Sequence, residues 1–166
     1  KQEYAAIAKA QLAHLGCKIV IEPGRSLLGN AGILVSSVVF IKTGEERQFL
    51  ILDAGMNDLI RPSMYDAHHE ILAVDATNST QKTYDVVGPV CETGDTFSKN
   101  RQVNESESGD LIAIMSCGAY GAVMASTYNT RMLAPEVMVK DNEFAVVRAR
   151  PTYEEVINTD SVPNWI

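Results

Sequence analysis

The sequence predicts a mainly β protein: an antiparallel β-barrel or sandwich over residues 32–166, preceded over residues 1–31 by the last helix–strand unit of a truncated βα barrel of the TIM type. Three observations predict it. Residues 3–15 place Tyr4, Ile7, Ala8, Leu12 and Leu15 on one face of a helix. "CKIVIEPG" follows as a short β-branched run stopped by Pro-Gly. From Gly32 onward the chain breaks into short strand-like runs split by polar turns, the spacing of an all-β architecture.

In order along the chain, the first helix stops at Gly16, a residue suited to a helix C-terminus. Helix, glycine turn and buried strand make the αβ half of a βα repeat, and one such unit cannot stand alone. The chain has no initiator Met and opens without an N-cap, which predicts a piece of something larger. The strand-like runs are "GILVSSVVFIKT", "RQFLILDAG", "HEILAVDAT", "KTYDVVGPVC", "DLIAIMSCG", "AVMASTYN", "EVMVKD" and "EFAVVRAR". "KTGEER" and "KDNEF" read as hairpin connections, the second with Asp-Asn at its tip. "PTYEEVINT" reads as a short closing helix, with proline in its first turn and acidic residues near its positive end.

Totals narrow the function. At 166 residues, with 46% of them hydrophobic, the chain holds one domain with a proper core. A net charge of −7 argues against nucleic acid, whose phosphates need a basic face. No apolar run approaches the ~20 residues of a membrane span, and the start has no apolar signal-peptide core. Cys17, Cys91 and Cys117 are an odd count without CxxC spacing, which fits neither a disulfide framework nor a zinc site. Free thiols predict a reducing, cytoplasmic compartment.

Four stretches carry chemistry. In "EPGRSLLGNAG" (22–32), a Pro-Gly turn and the helix after it offer backbone amides to an anion, and Arg25 can add a charge-assisted bond. A plain turn with a surface arginine is the other reading of those residues. In "DAGMNDLIRPSMYDAHHEI" (53–71), Arg61 and Tyr65 are four apart, so one helical turn puts both on one face, where they can grip a carboxylate. Solvated Arg61 beside packed Tyr65 remains open, and His68 and His69 lack metal-ligand spacing. In "GPVCETGD" (88–95), glycine and proline make a loop whose tip presents Cys91 beside Glu92, which reads either as a proton donor next to an ammonium-binding group or as a loop cysteine of no consequence. In "SCGAYGAVMAS" (116–126), Tyr120 lies between glycines, where the backbone can approach a ligand or simply turn. Cys117 reads as a packed thiol.

Taken together and in this order, "EPGR", "RPSMYDA", "GPVCETGD" and "GAYG" resemble the C-terminal half of the diaminopimelate decarboxylases, which belong to the alanine-racemase-like, pyridoxal-phosphate-dependent decarboxylases. The resemblance runs from about residue 16 to residue 140. It implies the cofactor pyridoxal 5'-phosphate, with Glu22, Pro23, Gly24 and Arg25 matching the phosphate-cofactor stretch and Tyr120 touching both cofactor and substrate. It implies that Arg25, Arg61, Tyr65 and Glu92 bind the substrate, meso-diaminopimelate, and that Cys91 returns a proton to the carbanion after CO₂ leaves. It also implies a homodimer with shared active sites, in which the Cys91 loop projects into the partner's site.

One departure is an absence. The family's cofactor-carrying lysine lies in an upstream barrel, and none of Lys1, Lys9, Lys18, Lys42, Lys82, Lys99 or Lys140 stands in a matching motif. The expectation is therefore a C-terminal fragment, inactive by itself, of an enzyme that makes L-lysine. A sister decarboxylase acting on carboxynorspermidine or a basic amino acid, and a catalytically dead dimerisation partner, are the alternatives.

Overall fold

The computed structural model describes residues 2–75 and 79–166. Six strands form one sheet in the order β3-β6-β1-β2-β4-β5. They are β1 (Leu34–Thr43), β2 (Gln48–Leu52), β3 (Ile71–Ala73), β4 (Gln81–Val87), β5 (Thr96–Asn104) and β6 (Leu111–Ile114). β7 (Glu136–Lys140) and β8 (Glu143–Arg148) pair separately as a hairpin. Ala76 and Thr77, the end of the "HEILAVDAT" run, lie outside the described residues.

The antiparallel expectation holds only in part. β2 and β4 run parallel, with Phe49 opposite Asp85 and Ile51 opposite Val87, so the sheet is mixed. Period-2 alternation says which face a strand buries, but not which strand lies beside it or in which direction. The sheet is nearly closed rather than a two-layer sandwich: edge strands β3 and β5 approach each other, and Arg101 on β5 pairs with Glu70 just before β3 at 3.7 Å. β1 makes the bend. Its first half pairs with β6, and a bulge at Val39 sits where it pairs with β2. Such an extra residue increases local twist and curls the sheet.

The barrel-like interior holds the core: Val38, Leu50, Leu52, Leu59, Ile71, Tyr84, Val86, Phe97, Val103, Ile112 and Ile114, all buried. Each such aliphatic side chain contributes about 1.5–3 kcal/mol by leaving water. β5 has no clear strand pattern in the sequence, because "TFSKNRQVN" buries only Phe97 and Val103. It also contains a bulge, where Asn100 takes a positive φ of 50° and its amide donates to the Asp85 carboxylate at 2.8 Å. Conversely, "AVMASTYN" forms no strand. It makes two 3₁₀ turns, Ala122–Met124 and Tyr128–Thr130, and Asn129 and Thr130 have positive φ, which no ladder tolerates.

α1 (Gln2–Leu12) ends through a 3₁₀ turn at Gly16, whose φ of 65° is the left-handed conformation that glycine supplies cheaply. Its apolar stripe is exposed, as are Ile19, Val20 and Ile21. Residues 16–23 form no strand, which corrects the buried-strand reading of "CKIVIE": a run with no neighbouring strand has no ladder to join. α2 (Arg25–Leu28) follows, and α3 (Arg61–Tyr65) lies in the crossover between β2 and β3. The closing helix α4 (Tyr153–Ile157) starts at a capping box of Thr152 with Glu155, so Pro151 stands just before the N-cap rather than in the first turn.

Candidate active site

Three segments meet at one end of the sheet. The 25–31 turn is docked by two glycines crossing backbone to backbone. A Cβ on Gly118 would lie 2.1 Å from the Leu28 carbonyl oxygen, and one on Gly32 would lie 2.7 Å from Gly118 Cα. Gly118 donates its amide to Gly29 at 3.0 Å, and Cys117 donates to Gly32 at 2.8 Å. Ser116 Oγ donates to Asn30 Oδ1 at 2.8 Å. Between these segments and the β2–β3 crossover opens a cleft of about 670 Å³, lined by Arg25, Asn30, Arg61, Tyr65, His69 and Ser116 among others.

α3 begins directly with Arg61 and Pro62, a proline in the first turn where its missing N–H costs nothing. It stops at Asp66, whose positive φ ends the helix and whose amide donates to the Arg61 carbonyl. One turn places Arg61 and Tyr65 on the same face, with the guanidinium 5.4 Å from the Tyr65 ring centroid. The Tyr120 ring lies on the same guanidinium, also at 5.4 Å. Two rings thus hold the cation by their electron-rich faces, a fixed planar fork at the cleft. Tyr120 itself has φ 59°, rare for a non-glycine residue and a mark of a side chain aimed by its surroundings.

Glu22, Pro23, Gly24 and Arg25 form an exposed turn. Ser26 and Leu27 donate their amides inside it, to Pro23 and Gly24, at 3.0 Å each. Gly24 faces Tyr120: a Cβ there would stand 3.6 Å from the phenol oxygen. The turn, Arg25 and the phenol make a polar surface.

Cys91 and Glu92 sit elsewhere, exposed on the β4–β5 loop, and neither lines the cleft. The loop packs against α3, where a Cβ on Gly94 would fall 2.7 Å from Ser63 Oγ. Glu92 Oε1 accepts the Gly94 amide at 3.2 Å. The last residue of the "GPVCETGD" stretch, Asp95, is a buried carboxylate to which the sequence reading assigns no role. Burial pushes its carboxyl above the usual range, against the pull of the Val90 and Met56 amides. His69 is buried as well and donates Nδ1–H to the Met115 carbonyl at 2.8 Å, with the Cys117 sulfur 3.9 Å away. Burial pushes the Cys117 thiol up to about 11, in keeping with a packed thiol rather than a reactive one. Among the described residues no cluster of His, Cys, Asp or Glu is arranged for a metal, and no helix is long and apolar enough to cross a membrane.

A barrel-like sheet domain with a tyrosine-clamped arginine at one end defines a class. Residues 11–118 match the family model described as "Pyridoxal-dependent decarboxylase, C-terminal sheet domain", and the chain belongs to that family. Within it, the chain is similar to the diaminopimelate decarboxylase of Zymomonas mobilis, 47% identical over 165 residues, 99% of this chain and 39% of the relative. A crystal structure from Aquifex aeolicus superposes with a TM-score of 0.88 at 43% identity, over 95% of this chain and 39% of that one. The Helicobacter pylori diaminopimelate decarboxylase, solved in complex with L-lysine, superposes with a TM-score of 0.85 at 40% identity and the same coverage. The chain therefore spans about two fifths of the length of the relatives it matches.

Proposed function

We propose that this chain is the C-terminal part of a pyridoxal-phosphate-dependent decarboxylase that converts meso-2,6-diaminopimelate to L-lysine and CO₂. The observation that carries the reading is Arg61, held between Tyr65 and Tyr120 at a cleft that Arg25 also lines. The substrate differs from lysine by a second carboxylate at its far end. A rigid guanidinium with a phenol beside it is the pairing that selects such a group. Lysine or ornithine would leave those donors without a partner, a loss that discriminates strongly.

The residues present also fit the cofactor. A dianionic phosphate suits the turn of Gly24 and Arg25, where the missing Cβ leaves room opposite the Tyr120 hydroxyl. When bound, pyridoxal phosphate supplies the electron sink for loss of CO₂. The chain's own groups do the remainder: Arg25, Arg61 and Tyr65 orient the substrate, Tyr120 contacts both substrate and cofactor, and Glu92 takes the distal ammonium. Cys91 Sγ holds the proton that replaces CO₂. Its separation from the cleft supports a homodimer in which the loop of one protomer serves the site of the other. The free thiols support a cytoplasmic setting.

The test is the full-length protein with pyridoxal phosphate. Release of CO₂ and formation of L-lysine from meso-diaminopimelate, with ornithine and lysine poor substrates, is the expected result. A folded, cofactor-loaded protein that leaves diaminopimelate untouched, or prefers a substrate without the second carboxylate, overturns it.

A further inference from the structure

We propose that Asp95 is a positioning residue, whose single buried carboxylate holds the Cys91–Glu92 loop and the turn leading to Arg61 in one fixed relation; this rests on the decarboxylase reading above.

The geometry is that of a clasp. Asp95 Oδ1 accepts the amide of Met56 at 2.6 Å, and Oδ2 accepts the amide of Val90 at 2.6 Å. Met56 belongs to the turn after β2, and that turn continues through Asp58 and Leu59 into α3. Val90 immediately precedes Cys91, and its carbonyl accepts the Glu92 amide at 2.8 Å. Asp95 also closes the loop through its own backbone, donating to the Glu92 carbonyl and accepting from the Gly88 amide, both at 3.0 Å. The surroundings are built for this carboxylate. A Cβ on Gly88 would lie 2.4 Å from both of its oxygens, and one on Gly55 would lie 3.4 Å from Oδ1. Asp95 is only 4% exposed.

Two short charge-assisted bonds to donors from separate segments need two acceptor oxygens. Only an ionised carboxylate of this length offers both. Asparagine keeps the shape but turns one acceptor into a donor that faces an amide N–H. One segment is then released while the fold is left in place. Relief of the buried charge offsets part of the lost bond, so stability moves little while the relation between the segments loosens. Small misplacements of reacting groups reduce turnover by up to ~100-fold.

The experiment compares wild type, Asp95→Asn, Cys91→Ala and the double variant as full-length, cofactor-loaded protein with diaminopimelate. Asp95→Asn should lower kcat about 10- to 100-fold with unchanged cofactor absorbance and a melting temperature close to wild type. In the Cys91→Ala background the same change should lower kcat by less than it does in wild type, because part of its effect runs through the Cys91 thiol. Full multiplication of the two effects, or an unchanged kcat in folded Asp95→Asn protein, overturns the proposal. Amide exchange provides a readout that needs no activity. In wild type the Met56 and Val90 amides should both be protected from exchange, and Asp95→Asn should raise exchange at one or both by at least tenfold. An unprotected Met56 or Val90 amide in wild type overturns the clasp even if the variant does not fold. An inactive wild type with both amides protected refutes the decarboxylase reading alone.

Discussion

Gly118→Ala puts the docking of the 25–31 turn to a quantitative test. The new Cβ would stand 2.1 Å from the Leu28 carbonyl oxygen and 2.7 Å from the Gly32 amide nitrogen, both backbone atoms that no rotamer change can move aside. Ordinary carbon–oxygen contact is ~3.3 Å, so the two segments must part by about 1 Å. That displacement stretches the Gly118-to-Gly29 and Cys117-to-Gly32 hydrogen bonds beyond useful length. Two lost bonds at about 1 kcal/mol each, added to overpacking strain of about 1–3 kcal/mol, give a destabilisation of about 3–5 kcal/mol. For a chain of this size each kcal/mol moves the melting temperature by ~2–4 °C. Thermal and urea unfolding of the 166-residue chain should therefore show a fall of about 6–20 °C. Because Tyr120 lies two residues further on, its stacking on Arg61 should weaken as well, seen as a shift in tyrosine absorbance. A Tm within about 1 °C of wild type would refute the backbone crossing, since a clash of this size has no cheap escape.

Three other outcomes follow from the same geometry. Arg61→Ala in the full-length enzyme should leave cofactor binding intact and reduce kcat/KM for diaminopimelate by two to three orders of magnitude, the ~2–5 kcal/mol of a lost charge-assisted pair; steady-state kinetics checks this. Cys91→Ala protomers mixed with protomers lacking the cofactor lysine should recover about a quarter of wild-type activity, since half the dimers are hybrid and each has one complete site; no recovery with exchange confirmed would put Cys91 in its own chain's site. At pH 8, iodoacetamide should label exposed Cys17 and Cys91 and spare Cys117, whose thiol at about 11 holds roughly a thousandth of its population as thiolate. Peptide mass spectrometry resolves the three, and Cys117 labelling should rise steeply only as the pH approaches 11.

The parts legible in the sequence were those governed by local rules. Arg61 and Tyr65 met because helical geometry brings residues four apart together. β7 and β8 met around Asp141 because that position accepts positive φ. What escaped depends on distant neighbours. Nothing local to "TFSKNRQVN" announces β5, a sheet-edge strand interrupted by the Asn100 bulge that Asp85 caps from β4. The second ring on Arg61 comes from Tyr120, and the burial of Asp95 depends on glycines at positions 55 and 88 that leave it space. "CKIVIE" shows the converse: strong β character makes no strand without a partner to receive its hydrogen bonds.

The parallel pairing of β2 with β4 bears on the order in which the molecule assembles. Parallel neighbours cannot be joined by a tight turn, so the chain must leave β2, make a long excursion and return before Phe49 meets Asp85. α3 is a passenger in that excursion. The β1–β2 and β4–β5 hairpins can zip locally and early, whereas joining them means closing the loop that carries Arg61 and Tyr65, a non-local and slower event. The helix carrying Arg61 and Tyr65 is thus enclosed late, and the second ring on Arg61 arrives only with the still longer closure that pairs Leu34 with Ile114, so the clamp is complete only when the sheet is.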